Sequence, residues 1–480
     1  MRFSVILRYV GTVMLCLATF MAISAVISYV SNDSGFYPLL LSSLLTLLLG
    51  VFPMIFVSKA DSINTKEGFM IVVGSWVLSC IVGMFPYLIW GGEFTLVNAW
   101  FESVSGFTAT GASILTDIEA LPQGLLFWRS SSVWIGGVGV VMFALLILPS
   151  LGTNKMALSG IELSSLAKDN YRYRTQMVLK ILLAVYIGLT IVATILLKLA
   201  GMRWFDAVNH AMSACATGGF STKNASVGYY DSPLIEWILI FVMFLSSLHF
   251  GLIYSTFARK SNNIFRSEVV RVYVAIIVVA TLCVAASLYA FDIYPDIFTS
   301  LRQSVFQVVS LITTTGFATA DTNLWTPFAI VILIIISIIC GCAGSTSGGV
   351  KVDRVLLFAK VLKARLRGQQ HPNAVIRVRL DGILQEDRQV NTVNLFLTTY
   401  FVLILLGTLL STLWGMDLLT AFSSSVAFIG NVGPGFGNVG SYDNYAGLPS
   451  FLKIMGSIFM LMGRLEIFGF IQFLFIRMWR

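Results

Sequence analysis

The chain has little charge for its length. Of its 480 residues only 11% are Asp, Glu, Lys or Arg, whereas 57% are hydrophobic, and the mean hydropathy is +0.86. An ordinary soluble globular domain carries about 25% charged residues, so that class of protein is excluded. The composition predicts a protein whose surface faces lipid.

Residues that carry enzyme chemistry are also scarce in the apolar stretches. The six cysteines include no C-x-x-C pair and lie mostly in apolar segments, where they act as small hydrophobic residues. No G-x-x-x-x-G-K-[ST] string is present to bind a nucleotide phosphate. An intramembrane enzyme would need paired acids, metal ligands or a Ser/Lys pair at membrane depth. Arg464 and Glu466 are nearly the only ionisable groups there, so the sequence argues against an enzyme and predicts no organic cofactor.

Long apolar runs define the architecture. Such runs match the thickness of a bilayer core, and in lipid they must be helical because the backbone has to satisfy its own hydrogen bonds. We predict about ten spans, two in an N-terminal hairpin and two in each of four repeats. The fold class is therefore an all-α polytopic membrane protein, with four pseudo-fourfold repeats of span, pore helix and span around a central pore. The hairpin covers 1–66, and the repeats cover 67–150, 177–258, 270–367 and 391–480.

The distribution of charge orients the chain. Most of the 31 Lys and Arg residues fall on the side that holds both termini, and most acids fall on the other. Because positive residues stay on the cytoplasmic side, both termini are predicted to be cytoplasmic. The acidic outer face would concentrate cations near the membrane. Topology explains the basic residues, so the lipid bilayer is implied as a partner and nucleic acid is not.

Each repeat contains a short helix that runs into a glycine. These helices are predicted at about 96–107, 204–216, 297–313 and 418–429, and each is too short to cross a bilayer. The four turns that follow them lie roughly 100 residues apart. Their candidate site residues are Ala109, Thr110, Gly111, Ala216, Thr217, Gly218, Thr314, Thr315, Gly316, Asn431, Val432 and Gly433.

Four such turns in matching places suit a ring of backbone carbonyls. Glycine adopts dihedral angles that a β-carbon forbids, and carbonyl rings replace the hydration shell of K⁺ in channels. The C-terminal ends of short helices also favour a cation. We therefore expect the turn residues to bind a monovalent cation in an ion pore. The alternative is four tight turns whose small residues serve helix packing only, which four turns in register disfavour.

A second irregular segment lies in the third repeat. The apolar run 327–340 continues through a Gly/Ser-rich stretch and an amphipathic stretch to Arg367, which together exceed one span. We expect a gate loop at 341–351 that is buried in protein or lines the pore. Arg464 lies between apolar residues and needs partners, either loop carbonyls or Glu466; a bond that only pins helices is the alternative. The candidate gate residues are Gly344, Ser345, Thr346, Ser347, Gly348, Gly349 and Arg464.

Six stretches spread over the whole chain form a combined pattern: Phe101–Thr108, Trp128-Arg129 with Trp134–Gly137, Gly218–Thr222, Thr313–Phe317, Gly433–Gly435 and Gly463–Ile467. Together they closely resemble the Trk/Ktr/HKT superfamily of potassium transporters, and within it the bacterial TrkH/TrkG proteins. The N-terminal hairpin also looks like TrkH rather than the shorter KtrB proteins. Two turns depart from the family pattern, since the first has Ala109 in place of a threonine and the fourth has none.

The resemblance implies potassium uptake across the bacterial inner membrane, with K⁺ as the transported ion bound at the turn residues and the 341–351 loop as an intramembrane gate in contact with Arg464. It also implies a homodimer and a TrkA-like cytoplasmic nucleotide-binding regulatory subunit, for which 351–388 and 154–174 are suitable docking segments. In plant relatives a serine at the position of Gly111 goes with sodium preference, so glycine implies potassium over sodium. The alternative function is a proton- or sodium-coupled cation symporter, which needs a titratable acid near the path, such as Glu102.

Overall fold

The computed structural model describes residues 2–58, 65–147, 175–257, 264–371 and 377–474. Within these ranges the chain is almost wholly helical, and its regular strands are one short antiparallel hairpin, β1 (Arg379–Leu380) with β2 (Ile383–Leu384). The predicted all-α class is confirmed. The predicted docking segment 154–174 lies outside the described residues.

The first two helices form a hairpin against the rest of the bundle. Helix α1 (Phe3–Val30) packs along α2 (Phe36–Phe56) and also contacts α3 (Thr65–Gly83) and α6 (Gln123–Ile147). Gly11 and Gly50 let the two backbones meet, because a Cβ on either would lie closer than 3.0 Å to the carbonyl oxygen of the other. Small residues commonly allow this close approach between membrane helices.

The remaining helices repeat one order in four units. In each unit a long apolar segment precedes a short helix, which an extended return segment joins to a further apolar helix. The first unit has α3, α4 (Phe85–Trp90), α5 (Leu96–Phe107) and α6; the second has α7 (Thr175–Leu199), α8 (Trp204–Ala216), α9 (Pro233–Ser246) and α10 (Phe250–Phe257). The third has α11 (Glu268–Ala290), α12 (Ile297–Ile312), α13 (Pro327–Ile339) and α14 (Val352–Gln370); the fourth has α15 (Asp387–Leu413), α16 (Leu418–Gly430), α17 (Ser450–Arg464) and α18 (Phe468–Leu474).

The short helices α5, α8, α12 and α16 begin at the predicted residues, and side chains cap three of them. Thr95, Asp296 and Asp417 each accept a hydrogen bond from the backbone N–H three residues ahead, at 2.8–3.3 Å. Such a cap contributes about 1 kcal/mol to helix stability. The hydrogen bonds from Thr299 and Thr420 also hold the pKa of Asp296 and of Asp417 below its ordinary value.

Several of the expected spans are interrupted. Six segments in the described ranges are long and apolar enough to cross a membrane, and a seventh if α9 and α10, which bend by 101°, count as one. The sequence predicted about ten. In the last three units the final helix breaks, between α9 and α10, between α13 and α14, and between α17 and α18. Broken backbone at membrane depth needs partners inside the protein or in a water-filled cavity. We therefore expect these three breaks to lie in the interior of the bundle.

The four units close a circle. The helix after each return segment packs on the short helix of the next unit: α6 contacts α8, α9 contacts α12, and α13 contacts α16. Helix α17 of the fourth unit then contacts α5 of the first. The short helices are thus brought together in cyclic order, with their C-terminal turns inside.

Candidate functional site

Each short helix ends in the same backbone motif. A left-handed residue follows the helix in every unit, with φ between +51° and +59° at Ala109, Thr217, Thr314 and Asn431. The N–H of the next residue donates to the carbonyl five residues earlier, at 2.9–3.0 Å in all four units. This Schellman-type ending sends the four chains out of their helices in the same direction.

A glycine with positive φ comes two residues after the left-handed residue. The four are Gly111, Gly219, Gly316 and Gly433, with φ of +84°, +68°, +78° and +98°. A Cβ on each would lie closer than 3.0 Å to a carbonyl oxygen of the next unit in the circle; in the same order these oxygens belong to Gly218, Thr315, Val432 and Thr110. Glycine is therefore required both by the dihedral angle and by the neighbouring backbone.

The second turn differs from its prediction by one residue. Helix α8 extends to Ala216, Thr217 takes the left-handed position, and Gly219 rather than Gly218 is the counterpart of Gly111. The predicted set Ala216, Thr217 and Gly218 is therefore corrected to Thr217, Gly218 and Gly219. The signal that gives the right register is the Gly-Phe pair shared by the second and third turns. The other nine predicted turn residues keep their register.

Side chains on the short helices hold the return segments in place. In the second, third and fourth units the bonded pairs are His210 with Ser221, Gln307 with Ala320, and Ser423 with Phe436, at 2.8–3.5 Å. In the first unit a carboxylate, that of Glu102, bonds the return segment. The four units thus hold their return segments with different residue types.

Glu102 performs this task in the first unit through a buried ion pair. Its carboxylate accepts from Ser113 Oγ at 3.0 Å, from Ile114 N at 3.0 Å and from Arg129 Nε at 2.8 Å. Both charged side chains are at most 1% exposed. Arg129 also donates to Ser221 O at 3.3 Å, so the pair ties the first return segment to the second.

The 341–351 loop lies against the ends of the short helices. Thr346 Oγ1 donates to Cys215 O near the end of α8 and lies at hydrogen-bond distance from Ser246 O at the end of α9, both 3.1 Å. Gly348 N donates to Thr314 Oγ1 at 3.0 Å. The loop therefore contacts a turn residue of the candidate site directly.

The loop is also bonded to the break between α9 and α10. Cys342 N donates to Ser247 O at 3.0 Å, and Phe250 N donates to Gly344 O at 3.2 Å. His249 lies in this break, and a Cβ on Gly344 would come closer than 3.0 Å to its ring. Glycine at 344 thus allows the loop to pack on the second unit.

Arg464 joins the loop to two other units. Its Nη1 donates to Thr346 O at 2.7 Å, and its Nη2 donates to Gly136 O and Gly137 O on α6 at 2.7 and 2.8 Å. The predicted contact between Arg464 and the loop carbonyls is present, although Arg464 ends helix α17 instead of lying inside a span.

The chain makes an unusual bend directly after Arg464. Glu466 and Ile467 have φ of +56° and +51°, and positive φ at a β-branched residue is rare because of steric strain. The bend allows Glu466 to form ion pairs with Arg354 and, at 3.5 Å, with Lys351. Glu466 thus joins the fourth unit to the start of α14, the helix that leaves the loop.

One cavity lies at the ring of turns and another lies at the 341–351 loop. One is lined by the four positive-φ glycines together with residues of the return segments, including Asp443 and Tyr445. The other is lined by residues 344–349, Lys351, Arg464 and Glu466. The turns thus line one cavity and the loop lines the other.

Four short helices with carbonyl-bearing turns in a closed ring, set among membrane-length helices, define a membrane transport protein. The chain belongs to the TrkH family: the family model described as "Cation transport protein" matches residues 42–478. It is 34% identical over 485 residues to the Trk system potassium uptake protein TrkH of Salmonella typhimurium, with 100% of both chains covered. It is 34% identical over 415 residues to TrkG of Escherichia coli K12, covering 85% of this chain and 84% of TrkG.

A solved structure shows the same fold. The crystal structure of the potassium transporter TrkH from Vibrio parahaemolyticus matches with a TM-score of 0.90 and 31% sequence identity, and the match covers 100% of both chains. Family and fold together identify a transport protein and not an enzyme.

Proposed function

We propose that this protein takes up K⁺ across the bacterial inner membrane through a filter of backbone carbonyls. Full-length relatives are named potassium uptake proteins, which supports the choice of ion. The observation that carries the proposal is the cyclic contact of the four glycine turns, in which each glycine meets a carbonyl of the next unit.

Backbone carbonyls at the turns are the proposed ligands. They replace water around a monovalent cation without needing a charged side chain, and the C-terminal ends of four short helices add negative potential at the same place. The filter residues are those predicted, with the corrected second turn: Ala109, Thr110, Gly111, Thr217, Gly218, Gly219, Thr314, Thr315, Gly316, Asn431, Val432 and Gly433.

The 341–351 loop is the proposed gate. Its hydrogen bonds to Cys215 and Thr314, at the ends of two short helices, and the cavity that its residues line support this role. Arg464 holds Thr346 through a charge-assisted bond, so opening requires this bond to break or to move with the loop.

A TrkA-like cytoplasmic nucleotide-binding regulator is the proposed partner that moves the loop. The proposed assembly of this chain is a homodimer, with both termini of each copy in the cytoplasm. The exposed basic residues Lys363, Arg365 and Arg367 on α14 suit charge-assisted docking. Lys360 does not belong to this surface, because its Nζ donates to Glu268 Oε2 at 2.5 Å and so holds α14 to α11.

Alkali-ion flux into liposomes tests the function. Purified protein should admit K⁺ and Rb⁺ in preference to Na⁺, and should restore growth of a potassium-uptake-deficient strain on low potassium. The proposal would be contradicted if the K⁺ and Na⁺ fluxes were equal. It would also be contradicted if no K⁺ flux were measured with the regulator bound.

The coupled symporter is the weaker alternative. The acid that coupling would use, Glu102, accepts hydrogen bonds from Arg129 and two other donors, which favours a role in holding the first return segment over a role in coupling. A current that reverses at the potassium equilibrium potential and stays there when pH changes would exclude coupling to protons.

A further inference from the structure

One carbonyl of the glycine ring has a side-chain partner. Tyr445 Oη donates a hydrogen bond to Gly433 O at 2.8 Å. Among the hydrogen bonds of the described residues, no side chain donates to the carbonyl of Gly111, Gly219 or Gly316. The four glycines thus share one backbone conformation, but only the carbonyl of Gly433 has a side-chain donor among the described residues.

The phenol is fixed in place. Tyr445 is only 2% exposed, and its ring lies 5.7 Å from the ring of Phe101 and 5.1 Å from that of Phe428, measured between centroids. Its backbone N–H donates to Ser113 O at 2.8 Å, which joins the fourth return segment to the first. A side chain packed on two short helices can hold a carbonyl at a set position.

We propose that Tyr445 is a specificity-determining residue of the filter. The idea rests on the proposed potassium function and refines it. Na⁺ is smaller than K⁺, so its carbonyl ligands must move closer to the axis. The bond from Tyr445 opposes that movement at Gly433, because the carbonyl would have to leave a buried donor without a partner.

The test is the change Tyr445→Phe, which removes one hydroxyl and keeps the ring. Tyr442→Phe is the matched control, since Tyr442 lines the same cavity on the same segment and is 39% exposed. Radiotracer K⁺ and Na⁺ fluxes are measured in liposomes at equal protein content. We expect the K⁺/Na⁺ flux ratio to fall about fivefold in Tyr445→Phe, as for the loss of one neutral hydrogen bond, and to stay at the parent value in Tyr442→Phe.

A second readout needs no reconstitution. K⁺ should raise the melting temperature of the parent more than Na⁺ does, because binding stabilises the folded state, and this difference should narrow in Tyr445→Phe. A selective parent with unchanged ratios in both readouts for Tyr445→Phe would overturn the inference and leave the function standing. A lower melting temperature with an unchanged ratio would also overturn it, as a structural role only. A parent that does not favour K⁺ would instead refute the function itself.

Discussion

Replacing Arg464 by alanine removes the charged group that holds the 341–351 loop. Its guanidinium donates to Thr346 O in the loop and to Gly136 O and Gly137 O on α6. A hydrogen bond from a charged donor contributes about 1.5–3 kcal/mol. If the bond to Thr346 exists only in the closed state, its loss changes the ratio of open to closed protein by about 10- to 150-fold. We therefore expect Arg464→Ala to raise basal K⁺ flux at least about tenfold in the absence of the regulator.

The assay is radiotracer K⁺ uptake into liposomes that contain no regulatory subunit. Arg464→Lys should lie between parent and alanine variant, because lysine keeps the charge but lacks the planar fork. Thr346→Val removes only the contacts of the Thr346 hydroxyl with Cys215 O and Ser246 O. It should raise K⁺ flux about fivefold, because a neutral hydrogen bond contributes about 1 kcal/mol. Arg302→Ala is the control, since Arg302 pairs with Glu236 at 3.3 Å near the start of α12 and not with the loop.

If the Arg464→Ala and Thr346→Val proteins fold and insert but conduct no more K⁺ than the parent, the assignment of the 341–351 loop as a gate is wrong. A lower melting temperature of Arg464→Ala with unchanged flux would assign Arg464 the alternative role of pinning helices.

Three further changes test other parts of the structure. Gly111→Ser places a Cβ closer than 3.0 Å to Gly218 O at φ of +84°, so we expect a lower K⁺/Na⁺ flux ratio and poorer growth on low potassium; an unaltered ratio would remove Gly111 from the filter. Glu102→Gln leaves Arg129 buried without its counter-charge, which should cost about 3–5 kcal/mol and lower the melting temperature, whereas a neutral effect would show that water reaches the pair. Reversing the three exposed basic residues of α14 to glutamate should reduce co-purification with the regulator, and parent binding should weaken with salt; undiminished association would move the docking surface elsewhere.

Local features of the chain were predictable and long-range ones were not. The bounds of α5 and α8 match the prediction because each short helix runs into a turn of small residues that nearby sequence defines. The register at Gly218-Gly219 was ambiguous, since either glycine suits a turn locally and the choice depends on Thr315 O of the next unit. The residues with positive φ after Arg464 are Glu466 and Ile467, neither of which is a glycine, and the bend there depends on ion pairs of Glu466 with the distant α14.

The cyclic packing of the units has a consequence for biosynthesis. Helix α5 emerges from the ribosome early, but its neighbour α17 is made almost last. Until α17 inserts, the first short helix lacks one wall, and the carbonyl of Thr110 lacks the glycine that faces it from the fourth unit. A chain that stops after α15 would therefore hold three turns but no closed ring. The cation path is complete only after the fourth unit has inserted.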